Sequence, residues 1–86
     1  MNLKNDVMTQ KEIEDLFEYQ ASSTIKYIMN DNKNMTREEA SKAWYKSKTL
    51  EYLKKNNMYW VAPSRCYWEL QLEYSRDPRW LATSFT

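Results

Sequence analysis

The feature that most constrains the fold of this chain is the complete absence of glycine from its 86 residues. Glycine most often takes the left-handed backbone conformation beyond a helix C-terminus, so helix ends here must use other residues. Asparagine tolerates that conformation better than most residues, and it is concentrated at residues 30–34 and 56–57. Both places are therefore predicted helix boundaries. Glycine-rich loops that bind phosphate are excluded.

Two capping boxes predict where helices begin. In each box a threonine is followed three residues later by a glutamate, and each side chain bonds the backbone N–H group of the other residue. The boxes are Thr9 with Glu12 and Thr36 with Glu39. Apolar residues follow the first box at spacings of three and four, which predicts one long amphipathic helix over residues 9–30. Its apolar face consists of Ile13, Leu16, Phe17, Ala21, Thr24, Ile25, Ile28 and Met29.

The second capping box opens a pair of short helices. The helix over residues 36–46 breaks at Ser47, a residue type that favours N-cap positions, and another helix follows over residues 47–56. Leu50 and Leu53 give this helix its apolar face. Two lysines at its end suit the negative end of the helix dipole.

The aromatic segment over residues 58–76 has two interpretations. Apolar and polar residues alternate strictly from Trp68 to Tyr74, which is typical of a strand and would make residues 58–74 a hairpin. Against that, Ser64 follows a proline and is a good N-cap, and glutamate, glutamine and leucine prefer helix. We favour a helix that begins at about residue 64.

Together these elements predict an all-α fold, a small bundle of about four helices in one domain spanning residues 1–86. Residues 1–8 are expected to form a frayed N-terminus and residues 77–86 a tail. The alternative is a helix-turn-helix with a C-terminal β-hairpin, as in winged-helix proteins. A chain of 86 residues is close to the smallest size at which one hydrophobic core sustains folding unaided.

The side chains available for chemistry are few. One cysteine, Cys66, and no histidine exclude an internal disulfide and a zinc cluster. No serine, cysteine or lysine has a recognisable base beside it, so we predict a protein that is not an enzyme and uses no cofactor. The formal net charge of +1 argues against a strongly basic nucleic-acid binder. A signal peptide and a membrane-spanning run are lacking, which predicts a soluble, cytoplasmic protein.

Residues 36–53 resemble the helix-turn-helix of bacterial regulators. Ala40 has the small side chain that this motif places between its helices, and Leu50 and Leu53 match the core positions of its second helix. Trp44 departs from the motif, because it stands where the turn usually has glycine. In this alternative, the residues that contact DNA phosphates are Lys46, Lys48, Lys54 and Lys55.

Aromatic residues suggest a different function. Four tryptophans and seven tyrosines include more large rings than four short helices can bury, and these residue types often anchor protein interfaces. Adjacent residues point in different directions in any regular structure, so one ring of each neighbouring aromatic pair is expected at the surface. The predicted partner-binding residues are Trp60, Tyr67 and Trp68, with Arg65 at the edge and Tyr59 beside them.

Between about residues 25 and 74 several short motifs occur in order. They are Glu38-Glu39-Ala40, Ser47-Lys48-Thr49, Trp60, Pro63-Ser64 and the aromatic run from Tyr67 to Glu73. In these motifs the chain resembles a group of small uncharacterised proteins of low-GC Gram-positive bacteria. Members of that group are often encoded beside ADP-ribosyltransferase-like proteins in presumed toxin–antitoxin loci. The resemblance implies a protein that neutralises a partner.

The function expected from the sequence is therefore protein–protein binding. The chain is interpreted as an antitoxin-like or inhibitor-type module whose partner is another bacterial or phage protein, a toxin or a target enzyme. DNA binding by the helix-turn-helix is the alternative, and nucleic acid is a secondary partner in this interpretation. The sequence leaves the oligomeric state open.

Overall fold

The computed structural model describes residues 8–80. That part of the chain forms four α-helices and no β-strand: α1 at Gln10–Asp31, α2 at Arg37–Tyr45, α3 at Lys48–Lys55 and α4 at Pro63–Tyr74. The prediction of an all-α bundle of about four helices is confirmed, and the hairpin of the winged-helix alternative is wrong. Residues 1–7 and 81–86, which hold most of the predicted frayed N-terminus and tail, lie outside the described residues.

Both predicted capping boxes are present. The backbone N–H of Glu12 donates to the Thr9 hydroxyl at 3.1 Å, and the Thr9 N–H donates to the Glu12 carboxylate at 3.2 Å. In the second box, the backbone N–H of Glu39 donates to the Thr36 hydroxyl at 3.1 Å, and the Glu39 carboxylate accepts from the Thr36 N–H at 2.8 Å. The bonds that the Glu39 carboxylate accepts from the backbone N–H and the side chain of Thr36 stabilise its charged form and lower the pKa of Glu39.

Two residues, the exposed Lys46 and the buried Ser47, connect α2 to α3. The Ser47 hydroxyl donates to the carbonyl oxygen of Trp44 at 2.6 Å, and it accepts from the backbone N–H of Leu50 at 3.1 Å. The predicted N-cap at Ser47 is confirmed. One side chain thus satisfies a carbonyl at the end of α2 and an N–H group at the start of α3.

The C-terminus of α3 is a Schellman motif built without glycine. Asn57 has a left-handed φ of 54°, the N–H of Met58 donates to Leu53 at 2.8 Å, and the N–H of Asn57 donates to Lys54 at 3.2 Å. This is the pattern by which a residue in the left-handed conformation closes a helix. The predicted helix end at residues 56–57 is confirmed.

The C-terminus of α4 repeats that pattern with an arginine. Arg76 has a φ of 56°, its N–H donates to Glu73 at 3.1 Å, and the N–H of Asp77 donates to Leu72 at 2.9 Å. A residue with a Cβ atom loses about 1–2 kcal/mol in this conformation. The motif therefore closes the helix at an energetic cost that glycine would avoid.

The start of α4 differs from the prediction. Pro63 is the first helical residue and Ala62 is the N-cap, with no side-chain hydrogen bond to the helix. The predicted N-cap at Ser64 is wrong. Proline suits the first helical position because its fixed φ matches a helix and its missing N–H would have no partner there.

The core lies between the C-terminal half of α1 and the three shorter helices. Trp44 of α2, Leu53 of α3 and Cys66 of α4 have no exposed surface. The buried residues of α1 begin at its midpoint; they are Gln20, Ala21, Thr24, Ile25 and Ile28. Within residues 8–80 no helix has both the length and the apolar character needed to cross a membrane.

Candidate protein-binding surface

The most exposed tryptophan in the described part of the chain stands on the turn between α3 and α4. Trp60 is 66% exposed, whereas Trp44 is fully buried. The turn around Trp60 is tied to α1, because the side-chain amide of Gln20 donates to the carbonyl oxygens of Met58 at 3.3 Å and Val61 at 3.0 Å. A large ring is thus held at the surface by a bonded turn.

Arg65 and Trp68 form a second exposed feature on the first two turns of α4. The guanidinium carbon of Arg65 lies 4.9 Å from the centre of the Trp68 ring, which is cation–π geometry. Residues three apart lie on the same face of a helix, so the pair presents an aromatic plane and a positive charge together. Trp68 is half-buried and Arg65 is exposed.

Two predicted tyrosines face α1. The rings of Tyr59 and Phe17 pack in a T-shaped arrangement, with their centres 6.3 Å apart and their planes at 88°. Tyr67 stacks on Tyr27 at 5.8 Å, and its hydroxyl donates to the carboxylate of Asp31 at 2.7 Å. Burial, followed by the bond to Asp31 and its negative charge, raises the pKa of Tyr67 to about 12, so its hydroxyl keeps its proton at neutral pH.

The five predicted partner-binding residues therefore divide into two sets. Trp60 and Arg65 are exposed, Trp68 is half-buried under the Arg65 guanidinium, and we call these three the aromatic surface. Tyr59, on the turn, and Tyr67, on α4, both contact residues of α1. One ring of the pair Tyr59–Trp60 reaches the surface as expected, whereas both rings of the pair Tyr67–Trp68 are half-buried.

The four lysines of the DNA-binding alternative are all exposed. They are Lys46, Lys48, Lys54 and Lys55. The N-terminus of α3, however, is covered by an acid, because the Glu73 carboxylate accepts from the backbone N–H of Lys48 at 2.9 Å and of Thr49 at 2.8 Å. The indole of Trp80 adds a bond to the Thr49 hydroxyl at 2.9 Å. In a helix-turn-helix, this end of the second helix contacts base edges.

A concavity of about 710 Å³ lies between α2, α4 and the C-terminal end of α1. Most of its polar groups already bond within the chain. The Tyr74 hydroxyl donates to the carbonyl oxygen of Ala43 at 2.6 Å, and Arg79 pairs with Asp77 at 2.9 Å. What the concavity offers a ligand is mainly apolar surface, including Ile28.

The single cysteine of the chain is shielded from solvent. Cys66 is fully buried, and burial raises the pKa of its thiol to about 12, so the reactive thiolate does not form near neutral pH. Residues 8–80 hold no cluster of three or more acidic, cysteine or histidine side chains that could bind a metal ion.

Sequence reasoning missed residues that position the surface. Gln20 lies three residues after Phe17 and four before Thr24, on the apolar face of α1. A glutamine at such a position signals a buried polar contact, because its amide must find partners in the core. Glu73 and Tyr27 gave no comparable signal, since their partners lie on other helices.

Comparisons with known proteins add no relative. No protein-family model, curated protein or solved structure matches this chain significantly.

Proposed function

We propose that this chain is a small non-enzymatic protein that acts by binding another protein. In that role it is an antitoxin-like or inhibitor-type module that neutralises a bacterial or phage protein in the cytoplasm. The observation that carries the proposal is Trp60, a tryptophan 66% exposed on a turn that Gln20 bonds to α1.

The residue types of the aromatic surface support it as the site that contacts the partner protein. Tryptophan, tyrosine and arginine are the residues whose truncation at an interface most often costs about 2 kcal/mol or more. Trp60 stands on a bonded turn, and Arg65 is already seated over Trp68. Binding therefore has less conformational entropy to lose than it would with three freely rotating side chains.

DNA binding is the second candidate, and the four exposed lysines favour it. The position of Glu73 opposes it, because a carboxylate at the N-terminus of α3 repels phosphate where the motif approaches DNA. Three of the four lysines also share α3 with Glu51, an exposed acid. We therefore rank protein binding first.

The test begins with the partner. The untagged protein is purified from its native source, the co-purifying protein is identified, and binding of that protein is measured by calorimetry with Trp60→Ala and Arg65→Ala variants. We expect Trp60→Ala to weaken binding by about 30-fold, the equivalent of 2 kcal/mol, while circular dichroism is unchanged.

Tyr19→Ala is the matched control, because Tyr19 on α1 is 64% exposed, nearly the same as Trp60. It should bind the partner at wild-type strength. Wild-type affinity in both aromatic-surface variants would refute the assigned contact.

DNA binding has its own assay. Electrophoretic shifts are measured against the protein's own promoter region at increasing salt, with Lys48→Glu as the variant. A true phosphate-binding site loses affinity steeply as salt rises, because each contact releases counterions. We expect no such shift. A salt-dependent shift that Lys48→Glu abolishes in a folded protein would place the helix-turn-helix first.

A further inference from the structure

Trp60 differs from the exposed tyrosines in the backbone that carries it. Within residues 8–80 those tyrosines all lie in helices, whose repeating backbone bonds hold them in place; they are Tyr19, Tyr27, Tyr45, Tyr52 and Tyr74. Trp60 lies between α3 and α4, outside any helix. The order of its backbone therefore depends on bonds that do not belong to a helix.

The turn that carries Trp60, residues 58–61, is crossed by a long backbone bond. The N–H of Val61 donates to the carbonyl oxygen of Met58 at 3.4 Å. Hydrogen bonds of this type are most often about 2.9–3.0 Å long, and they weaken beyond that length. The backbone of the turn therefore contributes little to its own rigidity.

Gln20 of α1 supplies two further bonds to this turn. Its side-chain amide donates to the carbonyl oxygen of Met58 at 3.3 Å and to that of Val61 at 3.0 Å. Met58 and Val61 are the two ends of the turn, so one side chain holds both ends against α1. All three residues are buried, and a hydrogen bond is stronger where water is excluded.

The oxygen of the Gln20 amide shows what the side chain contributes. Gln20 Oε1 is buried and accepts no hydrogen bond within residues 8–80. Reversing the amide would bring that oxygen against two carbonyl oxygens, which also only accept, so the turn fixes the orientation of the amide. A buried acceptor without a donor is unfavourable for folding. What the amide gains in return is its two bonds to the turn.

We propose that Gln20 is a positioning residue for partner binding and that it acts through Trp60. The inference rests on the proposed function, in which Trp60 contacts the partner protein. Gln20 is 1% exposed and has almost no surface to offer a partner. By holding the turn in one conformation before the partner arrives, it reduces the conformational entropy that binding must remove.

The first experiment needs no partner. Nitrogen-15 relaxation of the full chain gives the order parameter of the Trp60 backbone N–H in the wild type and in Gln20→Met, which keeps the length of the side chain but has no donor. We expect about 0.85 in the wild type, as in rigid backbone, and less than about 0.6 in the variant, as in flexible backbone. A flexible Trp60 in the wild type, or an unchanged value in the folded variant, would overturn the proposal.

Hydrogen exchange tests the same bonds without a variant, and it decides the matter if Gln20→Met does not fold. In the wild type both side-chain N–H hydrogens of Gln20 should exchange with solvent as slowly as the backbone N–H groups of α1 around them, because they are buried and bonded. Rapid exchange of these two hydrogens would overturn the proposal.

Thr24→Val is the matched control. Thr24 is fully buried one turn after Gln20, and its hydroxyl donates to the backbone carbonyl of Gln20 at 2.7 Å. The change removes a buried bond to the same residue but leaves the Gln20 side-chain amide on the turn. The order parameter of Trp60 should therefore stay at its wild-type value. An equal loss of order in both variants would mean a general loosening of the core and would overturn the proposal.

The decisive experiment is a double-mutant cycle with the protein that co-purifies from the native source. Gln20→Met should weaken its binding about tenfold when Trp60 is present, and less than about twofold in the Trp60→Ala background, because residues that act through each other are not additive. Equal weakening in both backgrounds would overturn the proposal, since Gln20 would then act on the whole fold.

Failure of the positioning role and failure of the proposed contact give different results. Wild-type affinity in Trp60→Ala would refute Trp60 as the contact, and with it the binding role of Gln20. Weak binding by Trp60→Ala together with wild-type binding by folded Gln20→Met would overturn the positioning role alone.

Discussion

At the scale of the residue, two serines that the sequence predicts as N-caps have different energetic roles. Ser47 is buried, and its hydroxyl bonds both Trp44 and Leu50. Ser47→Ala should lower the free energy of unfolding by about 1–2 kcal/mol, as expected for loss of an N-cap. Ser64 is exposed and caps nothing, so Ser64→Ala should change it by less than about 0.5 kcal/mol. Urea denaturation of both variants checks the contrast, and equal losses would contradict it.

Arg76 offers the opposite kind of change, a stabilising one. Its left-handed φ of 56° is unfavourable for a residue with a Cβ atom. Arg76→Gly should raise the free energy of unfolding by about 0.5–1 kcal/mol, because part of the relieved strain is offset by the greater entropy of glycine in the unfolded chain. Arg76→Ala keeps the Cβ atom and should bring no gain. A thermal melt in which alanine stabilises as much as glycine would refute the strain argument.

The pKa of Tyr67 makes a prediction about alkaline pH. The value is raised to about 12 by burial and by Asp31, so the phenol stays protonated in the folded protein where an unfolded tyrosine, with a pKa of about 10, would ionise. The stability that depends on this proton is complete below about pH 10 and is lost as the pH rises to about 12. At pH 7 the free energy of unfolding of the wild type should exceed that of the Tyr67→Phe variant by about 1 kcal/mol. That difference should shrink above pH 10, as measured by urea denaturation at each pH; a constant difference would contradict it.

At the scale of the element, α3 depends on a residue of α4 for its N-terminus. The Glu73 carboxylate accepts two backbone N–H groups of α3 and the Thr49 hydroxyl, at 2.7–2.9 Å. Glu73→Ala leaves those N–H groups without their acceptor and should cost about 2–3 kcal/mol. Glu51→Ala, which removes an exposed acid from the first turn of α3, should cost only about 0.3–1 kcal/mol. Chemical denaturation compares them, and similar costs would mean that the Glu73 bonds contribute little.

Contacts within one helix end could be predicted from the sequence, whereas contacts between helices could not. The boxes at Thr9 and Thr36 and the cap at Ser47 were predictable, because donor and acceptor lie three residues apart and no distant contact is needed. Glu73 was not, since its partners lie 24 and 25 residues earlier in the chain. The left-handed conformation of Arg76 was equally hidden, because arginine is not a residue that signals a left-handed turn.

At the scale of the whole molecule, tryptophans divide between core and surface. The residue type alone does not predict which tryptophan is buried, because burial depends on which side of each shorter helix packs against α1. Trp44→Ala should cost about 3–5 kcal/mol, because it empties a fully buried site. Trp60→Ala should change the free energy of unfolding by less than about 0.5 kcal/mol. If calorimetric melting showed comparable losses for both, Trp60 would be structural and the aromatic surface would not be free to bind.

The bonds that Glu73 and Trp80 make to α3 also bear on how this protein is made. Both residues follow their partners in α3 by 24 to 31 residues, so a ribosome synthesises α3 before the groups that complete it. An isolated helix of eight residues is too short to persist in water. We therefore expect residues 48–55 to become stably helical only once α4 has been synthesised. A chain cut before Glu73 should lose the acceptor of the N–H groups of Lys48 and Thr49, and with it most of the helix over residues 48–55.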